Sequence, residues 1–251
     1  MRVLFFIALF GCKHVPATAL FKADTVFSMQ GKFKRKNMPL GTDSLLSYKV
    51  SGETKTKLSY NIRTISESHD RHSSSYKIVT QNIPFASDNA TTVVACVDFN
   101  DLHLLSMHLR ANTDSGHVKF NQDKFSGWSQ LPRQERKTID YTFAGGALPD
   151  EANTPWLAGL LPKKAGQKLV LPVFNLFGNA VKWKTYLPLQ VEKITLKNKT
   201  FLCWKINAGV QGPPGYTSYH WYEKKTGRLI KEELVKEGSD VKFITELVNV
   251  R

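Results

Sequence analysis

The sequence predicts a mainly β protein: a curved antiparallel sheet, half-barrel or barrel, with one short helix packed in its concavity. Three observations carry this expectation. Apolar residues recur at every second position through most of the chain, glycine-bearing turns separate the runs, and one segment switches to helical spacing.

The first strand expected is Thr42 to Ser51, which turns at Gly52-Glu53 into Thr54 to Ile65. There Leu58, Tyr60 and Ile62 alternate with Lys57, Ser59, Asn61 and Arg63. The polar, Ser-rich stretch Glu67 to Ser75 reads as a loop. Extended segments follow at Tyr76 to Gln81, Thr91 to Phe99, Leu102 to Leu109, Gly116 to Phe120 and Arg136 to Phe143. In the last of these Ile139, Tyr141 and Phe143 are expected inside, Asp140 and Thr142 outside.

The helical segment lies between Gly145-Gly146 and Gly166. Thr154 can cap it, Pro155 suits its first position, and Trp156, Leu157, Leu160 and Leu161 recur at helical spacing before Pro162 ends it. Two turns cannot stand alone in water, so this helix is expected to pack on the sheet. Strands resume at Gln167 to Phe174, Ala180 to Leu187, Leu189 to Leu196 and Thr200 to Asn207. After Gly212-Pro213-Pro214-Gly215 come Tyr216 to Glu223, a turn at Lys225-Thr226-Gly227, Leu229 to Val235 and Val241 to Val250. No Pro-rich or Ser-rich linker interrupts the series, so residues 20–251 read as a single antiparallel β domain.

At 251 residues, with 41% hydrophobic and 22% charged residues, the chain can bury a proper core, which excludes intrinsic disorder. The absence of a Gly-X-Y period excludes collagen, and no apolar run beyond the N-terminus reaches the length of a membrane-spanning helix. Residues 1–19 read as an export signal, with Arg2 as the positive end, Val3 to Phe10 as the apolar stretch and Ala17-Thr18-Ala19 as the cleavage pattern. That expectation places the mature protein in the periplasm, beginning at Leu20. Leu9-Phe10-Gly11-Cys12 offers an alternative, in which Cys12 is lipidated and anchors the chain.

The formal charge is +14, and the segment after residue 19 keeps 33 basic against 21 acidic residues, or +12. Such a field concentrates polyanions, so contact with a membrane surface is a candidate. Most lysines, Lys49, Lys55, Lys57, Lys182 and Lys184 among them, are scattered between apolar neighbours as on the wet face of a strand. No nucleic-acid motif is present, and nucleic acid is not an expected partner. Cys96 and Cys203 each fall opposite the apolar set of their strand; pairing and two free thiols both remain open.

Catalytic constellations are sparse. His69, Asp70, His72 and Ser73 to Ser75 have the residue types of a hydrolase triad, but one polar loop holds them all, whereas a triad is assembled from separated elements. His103 and His108 have opposite parity on their strand and cannot share a metal, and His117 and His220 read as isolated. No catalytic residue, cofactor or metal is expected. The aromatics are more suggestive: Trp156, Trp183, Trp204 and Trp221 all fall in the C-terminal half. With Leu160 they are the candidate ligand-binding residues, because curved sheets that hold an apolar ligand line the concave face in this way; filling an ordinary core is the alternative.

Several runs carry a family resemblance: Trp156 to Leu169, Val191 to Ile194, Phe201 to Ile206 and Tyr219 to Leu229. They resemble an uncharacterised family of exported, periplasmic bacterial proteins whose fold looks like that of the lipoprotein-localisation carriers, a curved half-barrel wrapped around a short helix. The resemblance implies no catalytic residues. The function expected from the sequence is that of a monomeric, non-catalytic cell-envelope protein that binds an apolar ligand, a lipid or a lipoprotein segment in its concave face. The alternatives are an envelope hydrolase acting on glycan or ester, and a basic protein that binds polyanions through its surface.

Overall fold

The computed structural model describes residues 25–26, 38–70, 73–112, 114–121, 123–144, 146–149, 157–160, 163–210 and 215–250. The signal-like segment 1–19 and Cys12 lie outside them. Among the described residues, fifteen strands form one sheet: β1 (Thr25–Val26), β2 (Gly41–Ser51), β3 (Thr54–Asp70), β4 (Ser73–Pro84), β5 (Thr91–Asp98), β6 (Leu104–Arg110), β7 (Ser115–Asn121), β8 (Lys124–Gln130), β9 (Lys137–Thr142), β10 (Lys168–Asn175), β11 (Ala180–Leu196), β12 (Lys199–Val210), β13 (Tyr216–Glu223), β14 (Leu229–Lys236) and β15 (Val241–Val250).

Two meanders make up the sheet. One runs β2 to β9 and the other β10 to β15, each strand pairing with the next, and β15 joins β2 to unite them. All of these pairs are antiparallel, and only the short β1 runs parallel, on the outer edge of β10. Among the described residues the borders β1 and β9 do not pair, so the sheet is open there. Its ends nevertheless approach through side chains. Phe125 of β8 stacks on Phe174 of β10 at 4.2 Å between centroids, and Leu148, just past β9, bridges to Val173.

The interior divides into two apolar clusters. The smaller joins β5 to β9 with Phe174 and Leu176, while the larger gathers residues of β2 to β4 and β10 to β15 around Leu157 and Ala158. Of the expected helix over 154–161, residues 151–156 and 161–162 lie outside the described residues; Leu157 and Ala158 have helical backbone and are fully buried. Here the chain approaches very closely: a Cβ on Gly159 would lie 2.0 Å from the Gly227 carbonyl oxygen. Only glycine fits that backbone-to-backbone contact.

Three expectations are corrected, and one further strand has no sequence signal. The Ser-rich stretch 67–75 is no loop, since β3 runs to Asp70 and β4 starts at Ser73, with Glu67 opposite Tyr76 and His69 opposite Ser74. Ladder hydrogen bonds hold polar residues in a strand whatever their hydropathy. The two strands expected between Ala180 and Leu196 are one strand of 17 residues, with a register shift between Pro188 and Gln190. Strand β8 carries no alternating pattern to announce it; Gly127 sits where a Cβ would fall 2.0 Å from the His117 carbonyl oxygen. Finally, Cys203 is buried and its neighbour Leu202 exposed, the reverse of the expected sides. Both described cysteines are free.

Candidate functional site

Strand β13 alternates Ser218, His220 and Tyr222 on one face, and all three side chains are fully buried. A buried polar row must satisfy itself. Accordingly His220 Nδ1 contacts Tyr222 Oη at 2.9 Å, and His220 Nε2 contacts Ser218 Oγ at 2.7 Å. Glu232, opposite His220 in β14, approaches Nε2 at 3.4 Å and accepts from Ser218 Oγ at 3.3 Å. Burial pushes the Glu232 carboxyl upward, but the charge and hydrogen bonds of His220, with Ser218 and Lys184, outweigh it and hold the carboxyl below its usual range. His220 is therefore not isolated. The set is no Ser-His-Glu triad either, because the serine and the carboxylate share one imidazole nitrogen instead of flanking the ring.

Beside this row, Asp43 of β2 pairs with Arg63 of β3, directly opposite it in register, and Arg228 Nε lies 3.0 Å from Asp43 Oδ1. Lys163 extends over Tyr222, its amine 5.6 Å from the ring centroid, and donates to the Gly159 carbonyl. Burial pushes that amine down to about 7.

The concavity is thus filled where Leu157 and Ala158 sit, and open space lies at its rim. The β11–β12 turn, with Lys197 at φ 53°, reaches back to the end of β15, where Lys197 Nζ donates to the Val248 carbonyl at 3.2 Å. Between them is a groove of about 330 Å³, with Leu196, Phe201, Leu247 and Val250 as apolar walls and Lys197 and Lys199 at the margin.

The residues singled out by sequence separate. Trp156 lies outside the described residues. Trp221 is buried in the larger cluster, donates its indole N–H to Glu192, and is flanked by the Lys205 and Lys231 ammoniums at 5.1 and 5.3 Å. Leu160 and Trp204 pack, half-buried, against the same cluster. Trp183 stands apart and exposed, its ring edge on Phe143. None of the four described side chains lines the groove, but Leu196, Phe201 and Leu247 belong to the cluster that Leu160, Trp204 and Trp221 share. Sequence reasoning missed the groove because its walls come from strand ends that meet only through curvature. The His220 row had a usable signal in its spacing of two.

Two further groups hold chemistry-bearing atoms. His69 contacts Ser74 Oγ at 3.2 Å and Glu67 Oε2 at 3.3 Å, but the imidazole is 59% exposed and water-solvated, without the enclosed low dielectric that nucleophilic catalysis draws on. Asp98, Asp101 and His103 each present one ligand atom within 4.8 Å of the others, although Asp101 already bonds His103 Nδ1 and Asp98 accepts from the Asn100 N–H. His108 and His117 face each other across β6 and β7, their rings 5.9 Å apart.

An open, curled antiparallel sheet filled from within its own chain defines a barrel-like β protein. The chain belongs to the DUF3108 family of proteins of unknown function, whose family model matches residues 47–244. It is similar, at 10% identity and a TM-score of 0.48, to a β-barrel-like protein of the domain of unknown function DUF1849 from Brucella abortus, over 85% of this chain and 98% of that one. A similar relation, at 10% identity and a TM-score of 0.42, holds with a protein from Bacteroides fragilis described as exported and of YmcC-like fold, over 88% of this chain and 99% of that one. No curated protein matches the chain.

Proposed function

We propose that this protein is an exported, monomeric and non-catalytic component of the cell envelope that binds an apolar ligand, such as a lipid acyl chain or a lipoprotein segment. In this reading residues 1–19 direct export and residues 20–251 form the binding domain. The observation that carries it is the rim groove of about 330 Å³, which has the size of a small-molecule site and combines apolar walls with two lysines at its margin. Those lysines suit an anionic head, and the walls suit a chain that would otherwise expose methylenes to water. Trp204, Trp221 and Leu160 support the reading from behind, since they share the apolar cluster to which the groove walls belong. Trp156 and Trp183 complete the proposed ligand-binding set on the strength of the sequence.

A fluorescent acyl probe tests this. The protein should bind it in a saturable way, and Phe201→Asp should weaken binding by about tenfold or more by placing a charge in the apolar wall. Lys199→Glu, an exposed change that leaves the core intact, should discriminate against probes with an anionic head. Unaltered binding in both variants would remove the groove from consideration.

A further inference from the structure

The alternation in β3 has an unexpected sense. Its polar members Ser59 and Arg63 are buried, and its apolar members Leu58 and Tyr60 are exposed by 36% and 39%. Across the ladder, Tyr60 faces Ile83 of β4, exposed by 42%, and the next residue beyond that strand, Phe85, is exposed by 49%. Phe85 donates its N–H to the Leu58 carbonyl at 2.9 Å and lays its ring 5.1 Å from that of Tyr60. Leu58, Tyr60, Ile83 and Phe85 therefore form one continuous apolar patch on the outside of the sheet.

Its surroundings are basic. The register shift between Ser47 and Tyr48 sets Tyr48 opposite Lys57 and Val50 opposite Lys55, and Lys242 of β15 lies opposite Val50 on its other side. Residues opposite one another share a face, so Lys55, Lys57 and Lys242 flank the patch. Two acids share that face and both are engaged: Glu246 lies opposite Lys231 and is bonded to the Tyr48 hydroxyl, and Glu233, opposite Ile244, pairs with the Lys231 ammonium at 2.6 Å; Glu53 occupies the β2–β3 turn. We infer that this face docks on a phospholipid bilayer bearing anionic headgroups. Leucine, isoleucine and aromatic side chains enter the headgroup boundary, tyrosine favours that depth, and lysines around them meet the lipid charge. A protein partner fits less well, because protein interfaces are depleted in lysine around their apolar centre.

The inference does not use the rim groove, and the two stand or fall separately: probe binding reads the groove, and vesicle partition reads the patch. The test is sedimentation with vesicles of phosphatidylcholine alone and with about one third phosphatidylglycerol, comparing proteins that share the same N-terminus. Wild-type protein should partition to the anionic vesicles and be released by salt. Tyr60→Ser with Phe85→Ser should lower partition about tenfold. Lys55→Gln with Lys57→Gln should lower it about fivefold per lysine at low salt. Ile83→Thr keeps a β-branched residue on the strand and decides the matter should the double serine variant fail to fold, which thermal melts report. Equal partition to neutral and anionic vesicles, or partition unchanged in folded variants, overturns the inference. Concentration-dependent self-association that Phe85→Ser abolishes, with no vesicle binding, overturns it in favour of a protein contact.

Discussion

Asp43 and Arg63 face each other across the β2–β3 ladder with both side chains sealed from solvent, and Arg228 reaches the same carboxylate from the β13–β14 turn. Burial pushes the Arg63 guanidinium down to about 10, against the opposing pull of Asp43. One carboxylate thus compensates two guanidiniums from distant parts of the chain. Asp43→Ala should cost about 3–5 kcal/mol by taking the carboxylate away from a buried guanidinium, whereas Asp43→Leu with Arg63→Met should cost much less. Denaturant melts of the two variants check this, and equal losses would contradict it.

Stability should fall on acidification through Glu232. Its folded pKa lies below the ordinary 4.5, so the unfolded chain takes up its proton first as pH drops. The contribution is present above pH 4.5 and is lost as pH falls through the folded value. Glu232→Gln should flatten this part of a stability curve measured from pH 6 to 3.

Lys163 acts at the other end of the scale. Its amine titrates at about 7 in the folded protein and near 10.5 when exposed, so the unfolded chain holds more protons between those values. Stability should therefore rise from pH 7 towards 10.5, and the ground gained is lost again as pH returns to 7. Lys163→Met should remove that slope; a slope that persists would assign it elsewhere.

The two cysteines should react differently. Burial pushes the Cys203 thiol up to about 12, with Glu223 and Glu192 adding to the effect, so it presents almost no thiolate at neutral pH. Cys96 is half-buried. Iodoacetamide should alkylate Cys96 roughly tenfold faster or more in the folded protein, and both equally in denaturant. Mass spectrometry reads the order, and early labelling of Cys203 would show that its strand opens.

Gly159→Ala should destabilise by about 1–3 kcal/mol, because the added methyl must displace the Gly227 carbonyl or the Tyr222 ring. Leu160→Ala, at a half-buried site, should cost about 1–2 kcal/mol. Limited proteolysis near residue 160 should quicken in the first variant, and an unchanged cleavage rate would mean that the contact does not hold this segment down.

Period-two patterning located most strands, and the strands 216–223 and 241–250 have the expected ends because glycine turns or sharp polar changes delimit them. It could not assign sides. Alternation states only that two faces differ, and around Arg63 and Cys203 the interior took the face that hydropathy assigns to water. Ion pairing made this affordable for Arg63, with a partner 20 positions away that only register reveals. Long polar strands such as the tip of β3 and β4 stay hidden for the same reason, since a ladder needs backbone and no particular side chain. The groove was illegible because curvature, and no local pattern, brings residue 197 to residue 248.

The seam between the meanders has a temporal meaning. Ser47 Oγ and Thr245 Oγ1 meet at 2.8 Å although 198 positions separate them, so β2, the second strand in chain order, waits for its partner until β15 has been synthesised. Until then β2 and β14 each present an unsatisfied ladder, the borders most prone to capture a stranger's backbone. A ribosome that stops short of residue 241 leaves two adhesive half-sheets in place of a smaller protein, and any chaperone serving this chain has those two strands to guard.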